Sequence, residues 1–170
     1  MLPLFPPGPD YPVAFCKYHD LTSMAIHPAN AAENPPMTDS HHGYPCWYEL
    51  TTPDPDAAGA FYARLLGWTI DKAPMEGMEY YLGTLGGTMV AGMMAPSMPG
   101  IPPNWCLYFA VTDCDATVAA MLADGAQQYV APSDIPGTGR FAILADPQGA
   151  VFGLLQPAPG GEGGAFDQNK

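Results

Sequence analysis

Residues 53–68 read PDPDAAGAFYARLLGW, and residues 112–125 read TDCDATVAAMLADG. In each stretch an aspartate, Asp54 or Asp113, precedes a run of apolar residues at helical spacing, and a glycine follows the run. The two aspartates lie 59 positions apart. The two stretches therefore predict two similar helices, each capped by an aspartate at its N-terminus.

Strand patterns flank both helices in the same order, with one strand before each helix and three after it. The predicted strands lie at 46–52, 68–71, 79–84 and 88–94, and then at 105–111, 127–131, 139–145 and 150–155. In the last strand of each set, Val90 and Gly92 match Val151 and Gly153, 61 positions further on. This internal repeat of about sixty residues indicates two tandem βαβββ modules.

The apolar residues of the two helices predict an α+β fold in which each helix covers one face of a sheet. In the first helix, one face carries Ala58, Phe61, Tyr62, Leu65 and Leu66. In the second helix, the expected buried face comprises Cys114, Val118, Met121 and Leu122. The other face of each sheet is free to form a curved, paired mixed sheet with a concave site where the modules meet.

The predicted domain occupies residues 44–157, with modules at about 44–98 and 104–157. Residues 1–43 are rich in proline and lack a sustained pattern, which predicts an irregular extension. Met37 is a candidate native start within this extension. Residues 158–170 contain four glycines and predict a flexible tail.

Composition excludes several classes of partner. The chain carries 17 acidic and 5 basic residues, for a net charge of -12, and this balance argues against nucleic acid and anionic membrane. Its four cysteines form no CxxC pair, and the first residues resemble neither a signal peptide nor a membrane span. We therefore expect reduced thiols and a cytoplasmic location.

Several motifs occur in an order that resembles a known family. They are PCWYEL at 45–50, FY at 61–62, LGW at 66–68, VAGM at 90–93 and GRFAILADPQG at 139–149. Over about 114 of the 170 residues the chain is similar to the vicinal-oxygen-chelate (VOC) superfamily, which includes glyoxalases, bleomycin resistance proteins and dioxygenases. The resemblance is to a bacterial, glyoxalase-like or hydroxylase-like subgroup, and it implies the paired-module fold described above.

Metal-dependent VOC proteins place a His or Glu ligand on the first and last strand of each module. The resemblance carries these positions to Trp47, Gly92, Cys106 and Gly153. Of these, only Cys106 has a side chain that binds metal, and one ligand is too few for a stable divalent site. We therefore expect no metal and no other cofactor, and the missing ligands argue against glyoxalase I and ring-cleaving dioxygenase chemistry.

Alternation along the first strands predicts which side chains share the site. If Trp47 faces the site then Glu49 does too, and Cys106 likewise brings Tyr108. Gly92 and Gly153 are expected to leave an open floor, that is, free space above the backbone where a ligand can bind, because a strand glycine often marks a close approach of ligand to backbone. Tyr80 and Tyr108 are candidate donors to a ligand oxygen.

Two charged residues are candidates for chemistry or for ligand recognition. Glu49 in an apolar cleft has the environment of a general acid or base, with a purely structural carboxylate as the alternative. Arg140 is the candidate contact for an anionic ligand, with a surface hairpin arginine as the alternative. Trp47 and Cys106 have structural alternatives as core residues.

These observations favour a metal-independent protein that binds a small apolar or aromatic molecule between its modules. The alternatives are a glyoxalase-like lyase or other VOC enzyme that uses Glu49 as acid or base, or a metalloenzyme with non-standard ligands. A homodimer is also predicted, because paired-module proteins of this size commonly cover their cavities across a two-fold interface.

Overall fold

The computed structural model of the protein describes residues 41–74, 78–97 and 99–158. The predictions for 1–40, including a start at Met37, and for the tail beyond 158 lie outside these residues. The N-terminal module comprises β1 (Pro45–Thr51), α1 (Pro55–Leu66), β2 (Thr69–Lys72), β3 (Tyr80–Leu85) and β4 (Thr88–Met94). The C-terminal module comprises β5 (Asn104–Ala110), α2 (Cys114–Ala123), β6 (Gln127–Ile135), β7 (Gly139–Ala145) and β8 (Val151–Pro157).

The two modules share one eight-stranded sheet in the order β2-β3-β4-β1-β5-β8-β7-β6. Their first strands, β1 and β5, pair antiparallel at the centre and join the modules. Within each module the first strand pairs in parallel with the last, β1 with β4 and β5 with β8. The predicted α+β fold of two βαβββ modules is confirmed.

Both helices begin at the predicted aspartates. The Asp54 carboxylate accepts a hydrogen bond from the backbone N of Ala57 at 2.9 Å, and the Asp113 carboxylate accepts one from Ala116 at 2.9 Å. Each cap satisfies a backbone donor that has no partner within the helix. The repeat of 59 residues therefore holds at the level of individual hydrogen bonds.

Strand β6 runs four residues beyond its predicted end. The predicted strand ended at Ala131, next to Pro132, and a proline cannot donate to a strand ladder. In the structure β6 is an edge strand and its pairing with β7 shifts register between Val130 and Ser133. An edge position with an irregular register tolerates proline, and the strand continues to Ile135.

The two helices bury different amounts of apolar surface. Helix α2 buries Cys114 and Val118 against the sheet, as expected, with Met121 half-buried but Leu122 exposed. Helix α1 buries only Gly59, which packs on Ile70 of β2. The apolar face of α1 predicted from helical spacing is therefore largely outside the core.

The opposite face of the sheet, which we call the helix-free face, carries its own cores. One cluster belongs to the C-terminal module and consists of Cys46, Cys106, Tyr108, Ala110, Val130, Phe141, Ile143 and Leu155. A smaller cluster belongs to the N-terminal module and consists of Ala73, Tyr80 and Met94. No helix within the described ranges is long and apolar enough to cross a membrane.

Candidate functional site

Strand register brings four repeat-related positions together on the helix-free face. In the parallel pair of β1 and β4, Glu49 lies opposite Gly92, and in the pair of β5 and β8, Tyr108 lies opposite Gly153. The antiparallel β1–β5 pair places Cys106 opposite Glu49. The side chains beside the two glycines are thus Glu49 and Tyr108, each two residues along the strand from the positions taken from the VOC resemblance.

Glu49 joins the two modules through hydrogen bonds. The Tyr80 hydroxyl donates to Glu49 Oε2 at 3.1 Å, and the Tyr108 hydroxyl donates to Glu49 Oε1 at 3.0 Å. Trp47 extends this arrangement, since its Nε1 donates to the Tyr80 hydroxyl oxygen at 3.2 Å. We call Glu49, Tyr80 and Tyr108 the Tyr-Glu-Tyr cluster. Sequence analysis proposed the two tyrosines as donors to a ligand, whereas they donate here to the carboxylate.

Burial makes these hydrogen bonds important. All three members of the cluster are buried, and a buried carboxylate is costly unless hydrogen bonds replace its lost water. Burial, and next the negative charge of Glu49, raise the pKa of Tyr80 well above its ordinary value of 10.0. Tyr80 therefore remains a protonated donor at neutral pH.

The glycines do not form the open floor that the sequence suggested. A Cβ atom on Gly92 would overlap the hydroxyl end of Tyr80, and a Cβ on Gly153 would overlap the ring of Tyr108. The close approach that a strand glycine indicates is made by tyrosine side chains of the same chain. The missing side chain of Gly92 leaves room for Tyr80, and that of Gly153 leaves room for Tyr108.

Partly buried side chains surround the buried core of the helix-free face. Trp47, Tyr129, Ile135 and Val151 pack against the cluster that contains Tyr108. Sequence analysis identified only Trp47 among them. Its predicted end for β6 left out Ile135, and nothing local marks Tyr129 or Val151 as site residues. These side chains offer apolar and aromatic surface around the core that contains Tyr108, and Trp47 also reaches the Tyr-Glu-Tyr cluster through Tyr80.

Cys106 lies in the same core as Tyr108 but has the properties of a small buried hydrophobe. Burial, with the charge of Glu49 second, raises the pKa of Cys106 from 9.0 to about 12 against a smaller lowering effect of a backbone hydrogen bond at Gly153. The thiolate is the form of cysteine that binds metals and attacks substrates. At neutral pH the Cys106 thiol is protonated and has neither property.

Arg140 is not brought together with the other candidate residues. Its guanidinium donates to Asp115 of α2 at 2.6 and 3.0 Å and to Asp134 of β6 at 2.9 Å. The neighbouring Phe141 belongs to the helix-free face, so Arg140 points to the side of the sheet where α2 lies. Arg140 therefore links α2 to β6 by exposed ion pairs.

The residues of the site do not fit a divalent metal ion. Within the described residues there is no group of three or more His, Cys, Asp and Glu side chains that could hold one. The cluster offers one carboxylate, two phenols with neutral hydroxyls and the protonated thiol of Cys106, and Gly92 and Gly153 contribute no side chain. Divalent sites in proteins normally need three or four ligands of suitable charge.

The sheet, its module order and the site at the central strands define a paired-module protein of the VOC class. The family model for the glyoxalase-like domain matches residues 47–155. The chain belongs to this glyoxalase-like domain family.

Curated relatives are bacterial. CFP32 of Mycobacterium tuberculosis, whose name proposes that it is a glyoxylase, is 48% identical over 114 residues, which cover 66% of this chain and 44% of that protein. The anthracycline biosynthesis protein DnrV of Streptomyces peucetius is 33% identical over 133 residues, covering 69% of this chain and 48% of that protein. The chain thus spans less than half the length of these relatives.

Solved structures agree with the fold. Methylmalonyl-CoA epimerase from Mycobacterium tuberculosis matches with a TM-score of 0.53 at 21% identity, covering 72% of this chain and 93% of the epimerase. The Streptomyces coelicolor epimerase bound to 2-nitronate-propionyl-CoA matches with a TM-score of 0.52 at 19% identity, covering 69% and 99%. At these identities the likeness establishes the fold alone.

Proposed function

We propose that this protein binds a small, apolar or aromatic molecule on the helix-free face without a metal ion. The observation that carries the proposal is the Tyr-Glu-Tyr cluster, which occupies the space beside Gly92 and Gly153. Trp47, Tyr129 and Val151 are partly buried and pack against the hydrophobic core that contains Tyr108 of this cluster. Pockets for small molecules combine such surface with a few fixed polar groups.

Charge at the site narrows the class of ligand. Glu49 is the charged member of the cluster, and Arg140 and Lys72 pair with carboxylates elsewhere on the chain. A carboxylate accepts hydrogen bonds and repels anions. The ligand that suits this site is therefore a neutral, flat molecule with a hydrogen-bond donor. The name of the relative DnrV, anthracycline biosynthesis protein, is in keeping with an aromatic ligand.

Two dyes with the same aryl skeleton test this proposal. N-phenyl-1-naphthylamine is neutral and has an N–H donor, whereas 1-anilinonaphthalene-8-sulfonate adds one negative charge. A sulfonate and a carboxylate about 6 Å apart repel by roughly 3 kcal/mol at an effective dielectric constant of about 20. We expect the neutral dye to bind at least about tenfold more tightly, and Glu49→Gln to reduce this preference.

A single tryptophan locates the binding. In a variant with Trp68→Phe and Trp105→Phe, Trp47 is the remaining tryptophan of the chain. Quenching of its fluorescence by the neutral dye reports binding, and a loss of dye affinity in Trp47→Leu but not in Trp105→Leu, measured by the dye's own fluorescence, locates the dye next to the Tyr-Glu-Tyr cluster and not on the surface near Trp105. Equal affinity for both dyes, or dye binding that leaves Trp47 fluorescence unchanged, would contradict the proposal.

A second candidate function is catalysis with Glu49 as general acid or base. It is favoured by the position of Glu49, a buried carboxylate that two phenol hydroxyls hold in place where the two modules meet. The relative CFP32 bears a name that proposes a glyoxylase. Turnover of a carbonyl substrate by wild-type protein, lost in Glu49→Gln while dye binding persists, would establish this function over simple binding.

A further inference from the structure

Strand register aligns a row of residues across each module on the helix-free face. From the edge strand to the centre, the register partners of the N-terminal module are Asp71, Leu82, Gly92 and Glu49. In the C-terminal module the same places are taken by Val130, Ile143, Gly153 and Tyr108. We call these sets the N-terminal row and the C-terminal row. They correspond place by place, because each runs through the second, third, last and first strands of its module.

The two rows differ in how much of them is accessible. Val130 and Ile143 are 8% and 2% exposed and belong to the core that contains Tyr108. At the equivalent places of the N-terminal row, Leu82 is only partly buried and Asp71 is exposed. A ligand needs accessible surface beside its polar contacts. A molecule bound at the Tyr-Glu-Tyr cluster therefore has room to extend along the N-terminal row, whereas the C-terminal row is closed.

Asp71 forms the outer end of the open row. Its neighbour Ile70 contacts Gly59 of α1, so the alternation of the strand directs Asp71 to the helix-free face. Within the part of the chain that the structure describes, Asp71 has no hydrogen bond or ion pair, and the adjacent Lys72 pairs with Glu79. The open row thus ends in a carboxylate that can accept a hydrogen bond from a ligand.

We propose that the ligand is an elongated aromatic molecule with a hydrogen-bond donor at each end, one for Glu49 and one for Asp71. This inference rests on the proposed function and specifies the class of ligand for that same site. Three strand spacings separate the two residues, which places their Cα atoms about 14 Å apart. A hydrogen bond of about 3 Å at each end leaves about 8 Å between the two donor atoms of the ligand. Two fused aromatic rings span this length, and Leu82 lies beneath them.

Two isomeric naphthalenediols test the length and the second donor. Naphthalene-2,6-diol carries its hydroxyls at opposite ends of the ring system, whereas naphthalene-2,3-diol carries both at one end. In equilibrium dialysis, Asp71→Ala should lower the affinity for the 2,6-diol by at least about fivefold, the loss expected for one hydrogen bond to a carboxylate. The affinity for the 2,3-diol should not change, because that isomer cannot reach Glu49 and Asp71 together.

The matched control for charge is Asp134→Ala. Asp134 is exposed on β6, the opposite edge strand, and pairs with Arg140 on the side of the sheet where α2 lies. Its replacement removes the same charge from the chain as Asp71→Ala does. Both diols should keep their affinity in Asp134→Ala, so a loss that is specific to Asp71→Ala is not an effect of net charge.

Leu82→Ala tests the path between the two ends. It removes apolar surface beneath the rings and should lower the affinity for both diols by at least about threefold. Leu85→Ala is its control, because Leu85 belongs to the same strand, faces the other side of the sheet and is 50% exposed. Leu85→Ala should leave both affinities unchanged.

The outcomes separate this inference from the proposed function. It is overturned if Asp71→Ala leaves the affinity for the 2,6-diol intact, or lowers the affinities for both isomers equally. Equal losses in Leu82→Ala and Leu85→Ala would also overturn it. If neither diol binds but N-phenyl-1-naphthylamine still binds next to Trp47, this inference fails alone. If the dye and both diols all fail to bind, the proposed function fails with it.

Discussion

Replacing Gly92 with alanine perturbs the candidate site at a defined point. The new methyl group would overlap the hydroxyl end of Tyr80, so the Tyr80 ring must move. Its movement breaks the hydrogen bonds of the Tyr80 hydroxyl to Glu49 at 3.1 Å and from Trp47 at 3.2 Å. Elsewhere in a strand, alanine is more favourable than glycine by about 0.5–1 kcal/mol, so any large loss must come from this overlap.

Two contributions set the expected size of the effect. Overpacking a well-packed core costs about 1–3 kcal/mol. Losing a hydrogen bond to a charged group costs about 1.5–3 kcal/mol, and here the group is the buried Glu49 carboxylate. Gly92→Ala should therefore lower the free energy of unfolding by about 3–5 kcal/mol, out of the roughly 5–15 kcal/mol typical of a domain.

A double-mutant cycle in urea gives the assay and its control. Tyr80→Leu removes the far end of the ring that lies beside Gly92, so Gly92→Ala in that background should cost less than about 1 kcal/mol. A loss below about 1 kcal/mol from Gly92→Ala alone would refute the reasoning. So would an equal loss with and without Tyr80→Leu, since the overlap with Tyr80 would then not be its cause.

The other predictions concern the helix caps and the buried thiols. Asp54→Ala and Asp113→Ala should each cost about 1 kcal/mol in urea melts, because each aspartate caps its helix with one hydrogen bond of 2.9 Å; a loss near zero for one of them would count against equivalent capping. Cys46, Cys106 and Cys114 are buried and should resist iodoacetamide at pH 8 in the folded protein but react in urea, as peptide mapping by mass spectrometry would show. Burial raises the pKa values of these thiols from 9.0 to about 12, 12 and 11, respectively. They lose protons more readily in the unfolded chain, so the free energy of unfolding should fall as pH rises from about 9 to 12, and urea melts that show a rise instead would contradict this.

The fold was predictable because its signals are local and repeated. The helix caps at Asp54 and Asp113 depend on residues within three positions of each aspartate, and the same order of elements occurs twice. Strand β6 was less predictable, because tolerance of Pro132 depends on the edge position of the strand and on its irregular register with β7. Both properties are set by tertiary structure.

The site was predictable only in part. Alternation along the strands correctly put Glu49 and Trp47 on one face, and Tyr108 with Cys106. It gave no sign that Tyr80, 31 residues from Glu49, would donate to its carboxylate. The sequence likewise shows that a glycine lies in the strand, but not which group packs against it. Because Tyr80 fills the space beside Gly92, the interpretation of Gly92 as open floor for a ligand was wrong.

Helix α1 shows a different limit. Helical spacing placed Phe61, Leu65 and Leu66 on α1, but spacing does not distinguish a face that meets the sheet from one that meets solvent or a partner. In the structure, Gly59 makes the buried contact with Ile70 instead.

The central claim is that ligand binding here needs no metal, and one titration tests it directly. The affinity of N-phenyl-1-naphthylamine is measured by Trp47 quenching in the untagged variant with Trp68→Phe and Trp105→Phe, first after dialysis against EDTA and then with added Zn²⁺, Ni²⁺, Mn²⁺ or Fe²⁺. Binding to the Tyr-Glu-Tyr site predicts the same dissociation constant in every case, because a metal absent from the complex has no linkage to it. Binding abolished by EDTA and restored by one of these ions would contradict the account.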